Sequence, residues 1–426
     1  MNDSSTNQSP ERIAVIGAGI SGLTTAYLLH QHYDVTVFEA NDYIGGHTHT
    51  IPVYQNGRTY NVDTGFIVFN DRTYPRFMQL LKKLDVAYQP SSMSFSVRND
   101  QSGIEYRATN LNTFFAQRRN LFRPSMYRLI HDILRFKREL PAIVQTPDYS
   151  LTLGAYLEQQ RYSAFFISHF IIPMGAAIWS SSTKTMQDFP LHFFARFFYN
   201  HGFLEMQNQP QWFVIQGGSS KYIEPLIAGF RDRIMTASPV ACVCRLPEHV
   251  EIQTRDGRVF PFDKIIIATH SDQALRMLGD PSDAEKRILG GLPYQANATV
   301  LHTDTTLMPH ARRAWASWNY HVNDSPNQPA SVSYNMNILQ TLSSPEQFMV
   351  TLNHTDAVNP GHIIREFTYH HPVFTPEGAG LQSQQQEING VNRTWFCGAY
   401  WRYGFHEDGV ISALNVCHDF DVKLEE

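Results

Sequence analysis

Gly17, Gly19 and Gly22 follow one another at spacings of two and three, and Glu39 stands twenty residues beyond Gly19. Residues of these types at this spacing could hold a dinucleotide. Gly17 permits a tight turn, Gly19 lets the backbone approach a diphosphate, and Gly22 allows a helix to pack closely on a strand. Ile20 and Ser21 lie between them, where the first free N–H groups of a helix and the positive end of its dipole would face the phosphates. An acid at Glu39, with Ala40 beside it, accepts from ribose hydroxyls and would repel a 2′-phosphate.

Such a cradle must be positioned by a strand, a turn, a helix and a second strand, in that order. The residues 13–16 form an apolar run of strand type, 23–29 continue a helix, and 35–38 form the second strand, ending at Glu39. That context raises three glycines above a chance cluster.

A second pair, Gly45-Gly46, follows in "EANDYIGGHTHT", too soon after Glu39 to leave room for a crossover helix. It resembles the glycine doublet of the FAD-binding amine-oxidase superfamily. The resemblance implies FAD, held without a covalent bond, rather than NAD. That superfamily usually has Arg after the doublet; His47 stands here, and its charge is conditional near neutral pH.

At 426 residues the chain is too long for one ordinary core, so two interleaved domains are expected. Hydrophobic residues at 42% against 17% charged exclude a disordered chain. A net charge of −5 gives no reason to expect nucleic acid. Residues 1–11 read as a disordered polar tail, without the basic start and apolar core of a signal peptide. The most apolar stretch, residues 165–179, is interrupted by Ser168, His169 and Pro173 and is too short to span a bilayer. Cys242, Cys244, Cys397 and Cys417 make no metal spacing and no disulfide framework, which points to a reducing cytoplasm and no bound metal.

The expected fold class is α/β: a Rossmann-like FAD-binding domain with an interleaved α+β substrate domain. The chain reads as strand and helix to about residue 70, helix-rich from 74 to about 205, then strands again. A hairpin should turn at Asp256-Gly257, residues 265–268 should return to the nucleotide-binding sheet, and 293–355 should form a second sheet. A C-terminal helix is expected from near Asp408. The FAD-binding domain is therefore assigned to residues 12–73, 206–292 and 385–426, and the substrate domain to 74–205 and 293–384.

Longer blocks narrow the resemblance. "VDTGFIVFNDRTYPRFMQLLKKLDV", "SSMSFSV", "IPMGAAIWSSS", "NHGFLEMQNQPQW", "GGSSKYIEPL" and "YGFHEDG" resemble the flavin-oxidase-like proteins related to the amino-terminal half of plant cyclopropane fatty acid synthases. The blocks run from residue 12 to about 420, as in free-standing bacterial relatives of that group, and no methyltransferase half is expected. The resemblance implies redox chemistry on a lipid acyl chain or another apolar small molecule, with a cyclopropane-synthase-type methyltransferase as a partner.

It also implies further site residues. Thr64, Gly65 and Phe66 match the segment beside the isoalloxazine, and Val240 matches the residue whose backbone meets adenine. Gly398, Glu407 and Val410 match the C-terminal segment whose helix faces the flavin, although Ala399 stands where an acid is common. Side chains of Glu407 and Asp408 could equally serve as helix caps. Trp179, His201, Trp212 and Tyr400 are candidates for the substrate pocket.

Amine-oxidising relatives place a lysine near flavin N5, and the matching stretch "LPYQANATVLHTD" has none. Aligning the terminal turn puts His406 where an aromatic cage residue would stand. His406 is therefore the candidate catalytic base for hydride transfer from an adjacent carbon, and a structural hydrogen-bonding role is the alternative. Tyr369, His370 and His371 lie where some relatives tether flavin covalently.

Residues 117–138 carry seven Lys or Arg against one Asp. Met126, Leu129, Ile130, Ile133 and Leu134 fall on one helical face, with Arg128, His131, Asp132 and Arg135 opposite. The basic face is either solvated or a dock for anionic phospholipid on the inner surface of a membrane. Taken together, these readings predict an FAD-dependent oxidoreductase of a methylated or cyclopropanated membrane lipid. A carotenoid or polyene desaturase, an amine oxidase, and a non-catalytic flavin-bound partner of a lipid methyltransferase are the alternatives.

Overall fold

The structure is a computed structural model and describes residues 10–146, 148, 150–202, 209–322 and 329–425. Most of the expected tail (1–9) and the middle of the block 200–212 (203–208) lie outside the described residues. Glu11, assigned to that tail, is ion-paired with Lys264 at 2.5 Å.

A five-stranded sheet, parallel throughout, has the order Ile234–Met235, Asp34–Phe38, Arg12–Ile16, Lys264–Ile267, Thr394–Phe396. Ile13, Ala14, Val15 and Ile16 are all buried, as a parallel strand covered on both faces requires. The helices Ile20–Leu29 and His406–His418 pack on one face, sharing a core with Leu23, Val410 and Val416. A three-stranded antiparallel sheet spanning residues 240–262 covers the other, with Phe38 edge-on to Phe260 and Phe262. The expected turn at Asp256-Gly257 joins two of its strands, Val250–Thr254 and Val259–Phe262. The C-terminal helix starts at His406, two residues before the expected position.

The second large sheet has seven strands, ordered Ile363–Pro372, Tyr294–His302, Met349–Leu352, Ser331–Asn335, Trp318–His321, Phe95–Asn99, Ile104–Arg107. Its last two strands come from the region expected to be helix-rich. Both are short: Phe95–Asn99 pairs with Trp318–His321, and Ile104–Arg107 is added to the sheet edge by pairing with Phe95–Asn99. Against this sheet lies a helical layer whose core is largely aromatic, including Phe136, Phe166, Trp179, Phe194 and Phe198. The apolar stretch 165–179 is a π-turn, Ile167–Ile171, running into the helix Ile172–Trp179 with Pro173 in its first turn. No helix among the described residues is long and apolar enough to cross a membrane.

The helix Pro124–Gln145 corrects one expectation. Its buried residues are Met126, Leu129, Asp132, Phe136 and Leu140, while Leu134 is 42% exposed. Asp132 turns inward because it accepts the Ser163 N–H (3.2 Å) and pairs with Arg128 (3.2 Å), which compensates its burial. Arg135 pairs with Glu139 at 2.9 Å and lies over the Tyr162 ring. Arg128 and Arg135, expected to face a membrane, are thus each paired with a carboxylate of their own helix, although half of the Arg128 side chain remains in solvent.

Candidate functional site

One cavity of about 1400 Å³ runs from the parallel sheet into the seven-stranded sheet and the helical layer. Single small-molecule pockets occupy ~300–1,000 Å³, so this volume suits two molecules placed end to end.

The nucleotide end is built by the first strand, turn and helix. Gly17 has φ +106°, and a Cβ there would sit 2.6 Å from the Ala268 carbonyl oxygen, so only glycine makes this turn. Gly19 caps the helix Ile20–Leu29 with extended backbone and no side-chain hydrogen bond. The helix therefore begins with unpaired N–H groups, and a Cβ built on Gly19 would meet nothing within 4 Å. Ile20 and Ser21 line the cavity; Gly22 does not, because it packs under the Gly17 carbonyl.

Glu39 is buried at the end of the second strand and lines the cavity with Ala40 and Val240. The Ala18 N–H donates to Oε2 at 2.8 Å, and the Asn41 N–H and Nδ2 donate to Oε1 at 2.8 and 2.9 Å. A carboxylate has about four lone-pair sites, so one remains for a ribose hydroxyl. Uncapped helix N–H groups, open space at Gly19 and an oriented acid fit the diphosphate and ribose of FAD.

The doublet works by proximity. The Gly45 N–H donates to the Ala18 carbonyl at 2.9 Å, so Gly45 is a brace outside the cavity wall. Gly46 lines the cavity, with its Cβ position 3.1 Å from the Gly19 Cα. His47 follows on the wall, 5.6 Å from the His371 ring and 5.2 Å from that of Tyr369. Its Nε2 is buried without a partner. Burial, then the neighbouring His370, hold its pKa down to about 4. At neutral pH it therefore enters the site as a neutral imidazole, unlike the arginine it replaces. His270 and His371 are held down to about 3, chiefly by burial.

In the middle of the cavity, residues 47–49 and 64–66 run side by side. The Phe66 N–H donates to the His47 carbonyl at 2.7 Å, and a Cβ on Gly65 would lie 2.2 Å from that same oxygen. Thr64 Oγ1 and His49 Nδ1 both meet the Tyr369 hydroxyl, at 2.8 and 2.9 Å. His406 lies on Phe66, and its Nε2 is 2.9 Å from Thr48 Oγ1 and 3.2 Å from the Tyr222 hydroxyl. Burial, then the neighbouring His47, hold the His406 pKa well below the usual imidazole value. The cation that a general base must become is thus disfavoured, and the geometry is that of a fixed hydrogen-bonding wall.

Gly398 reaches the cavity, whereas Glu407 and Val410 do not. Glu407 instead accepts the Arg76 and Phe77 N–H groups at 3.0 and 2.8 Å, capping the helix Pro75–Lys83. Its side chain contributes no acceptor to the cavity. Val410 lies in the core between the helices Ile20–Leu29 and His406–His418.

The far end is largely apolar, with uncharged polar side chains such as Gln211 at its edge. Trp179, His201 and Trp212 line it, together with Met174, Ile178 and Phe197. His201 stacks on Phe197 with centroids 3.9 Å apart, and burial holds its pKa to about 4. Tyr400 lines the cavity too, but it packs with Val240 and Phe396 in the nucleotide-sheet core rather than with Trp179. The matching positions on Phe95–Asn99 and Trp318–His321 add Phe95 and Trp318, register partners across two paired strands. Sequence reasoning missed Trp318, because nothing in its local spacing marks it. Among the described residues no lysine lines the cavity, and its carboxylates are Glu39 and Asp42, both at the nucleotide end.

Comparison with known proteins places this geometry. Residues 20–336 match the family described as flavin containing amine oxidoreductase. A flavin-containing monooxygenase of Aspergillus flavus is 46% identical over 65 residues, which is 15% of this chain and 16% of that protein. The match therefore spans far less than two thirds of that relative. Two solved structures are similar over nearly the whole chain. A CLA-producing fatty acid isomerase from P. acnes has a TM-score of 0.69 at 16% identity, covering 96% of this chain and 98% of that one. Cyclohexylamine oxidase from Brevibacterium oxydans IH-35A has a TM-score of 0.70 at 15% identity, covering 97% and 100%. At these identities the likeness concerns the fold.

Proposed function

This chain belongs to the flavin-containing amine oxidoreductase family, and within it we propose that the substrate is a lipid acyl chain rather than an amine. The protein is an FAD-dependent oxidoreductase. The observation that carries the acyl reading is the far end of the cavity, aromatic and aliphatic, with neither a lysine nor a carboxylate on its wall among the described residues. An alkylammonium brought there would lose its water and gain no counter-ion, a large cost. An acyl chain leaves water at a gain of ~0.8 kcal/mol per methylene buried.

Two likenesses support the reading. The blocks that resemble the flavin-oxidase-like half of plant cyclopropane fatty acid synthases point to acyl lipids. A solved relative of the same fold is a fatty acid isomerase. A methyltransferase that modifies the same acyl chain is the partner class this reading implies.

FAD, when bound, would take up a hydride from one substrate carbon, and the proton lost from the neighbouring carbon would pass to solvent. The protein's part is to bind and orient. Trp179, Trp212 and Phe197 confine the chain, and Phe66 and Gly65 form the wall where the two molecules meet. His406, whose Nε2 meets both the Thr48 and Tyr222 hydroxyls, positions that wall. Mass spectrometry of lipids incubated with the purified protein and an electron acceptor tests the reading. The expected product is lighter than its substrate by two hydrogens; unchanged acyl lipids alongside oxidised amines would overturn it.

A further inference from the structure

We infer that the protein docks on an anionic phospholipid bilayer through the segment 111–127, with Leu111, Leu121, Phe122 and Tyr127 entering the headgroup layer. This rests on the acyl-lipid reading, since an esterified chain must be met where the bilayer holds it. Single exposed apolar side chains are ordinary, but here Phe122 is 88% exposed, Leu111 69%, Tyr127 51% and Leu121 41%.

The parts are tied together. Arg118 donates to the Asn112 and Phe115 carbonyls at 3.1 and 2.9 Å, and the Tyr127 hydroxyl donates to the Leu121 carbonyl at 2.8 Å. The Phe115 and Tyr127 rings are in contact, with centroids 5.7 Å apart.

Charge selects the occupant. Arg119 donates to the Gly103 carbonyl and Arg123 to that of Ser102. Arg118, Arg119 and Arg123 therefore meet neutral oxygens, and none is paired with a carboxylate among the described residues. Their charge stays available on a chain whose net charge is −5. Arg128 and Arg135 are by contrast paired with Asp132 and Glu139. Exposed apolar side chains interspersed along the chain with Arg118, Arg119 and Arg123 suit an interface of acyl tails beneath anionic headgroups. A side chain standing as clear of its neighbours as Phe122 can enter such a layer. The patch also adjoins the cavity: Ala108, three residues before Leu111, is part of its wall.

The test uses the full chain with its flavin and two vesicle types, phosphatidylcholine with phosphatidylglycerol and phosphatidylcholine alone. The protein should sediment with the anionic vesicles at low salt and leave them at high salt. Leu121→Ser with Phe122→Ser should weaken that binding on the order of tenfold, with flavin content and thermal stability unchanged. Arg118→Ser with Arg119→Ser should remove the preference for anionic vesicles, whereas Arg128→Gln should leave binding as it was. Failure of the native protein to bind anionic vesicles, or full binding by the Leu121/Phe122 variant, overturns the proposal. So does capture of an acidic protein at this face without vesicle binding. Sedimentation needs no turnover, so failure of the acyl chemistry would leave this result standing. Conversely, detergent-dispersed lipid should still reduce the flavin of the Leu121/Phe122 variant if docking alone is lost.

Discussion

The imidazole of His406 lies flat on the ring of Phe66, with centroids 3.5 Å apart and planes 9° from parallel. Both rings stand on the cavity wall, and Phe77 meets each edge-on. The stack explains how a buried histidine with a single polar anchor point is held in one orientation. The same stack fits the hydrogen-bonding, positioning role that is the alternative to His406 as base.

Replacing His406 with Ala should therefore cost about 1–3 kcal/mol of stability, the price of a lost stack and hydrogen bond. Thr48 and Tyr222, already 2.5 Å apart, keep each other as partners. Flavin reduction should slow but persist, with an unchanged pH profile, and differential scanning calorimetry with stopped-flow absorbance measures both. Complete loss of reduction with full flavin content and native stability would mark His406 as the catalytic base after all.

Glu39→Gln should weaken FAD retention by about 1.5–3 kcal/mol, since a charged acceptor is lost and one of three inward N–H groups loses its partner. Glu407→Gln should lower thermal stability by about 1 kcal/mol through the cap on Pro75–Lys83, with flavin stoichiometry unchanged. Absorbance of the purified variants and their melting curves separate the two effects.

His47→Ala should retain its flavin, because the native ring is neutral at pH 7. If equilibrium dialysis shows a loss of tenfold or more in FAD affinity, the imidazole is charged toward the diphosphate in the loaded protein.

Acid should destabilise the fold from about pH 6.5 downward. His47, His169, His201 and His302 have folded pKa values near 4, and His270 and His371 near 3. Each is below the unfolded imidazole value of about 6.5, so the unfolded state binds more protons and stability falls as pH falls. Asp63, raised to about 6, and Asp408, raised to about 7, act with the opposite sign over the same range. The histidines outnumber them, so melting temperature should drop between pH 7 and pH 5. A flat or rising profile would contradict this balance.

Much of the nucleotide end was legible in the sequence because its demands are local. A turn at Gly17, an open Gly19 and an acid closing the second strand all lie within thirty residues and act through backbone. The substrate end was less legible. Phe95 faces the cavity only because its strand pairs with Trp318–His321, more than two hundred residues away. Glu407 was misplaced for a similar reason: nothing near it in sequence shows that its carboxylate caps a helix beginning at Pro75. The basic helix was rotated in the sequence reading because Asp132 was counted as a surface charge. The Ser163 N–H that helps to satisfy it comes from a distant turn.

The acyl-chain assignment is tested most directly by adding substrate to the yellow protein in the absence of oxygen and following the visible absorbance of its flavin. Unsaturated or branched acyl lipid in detergent should bleach the flavin, and cyclohexylamine or putrescine should leave it oxidised. Bleaching by the amines and none by the lipids would contradict the account, and would mean that an ammonium is accepted by a cavity end with no carboxylate on its described wall.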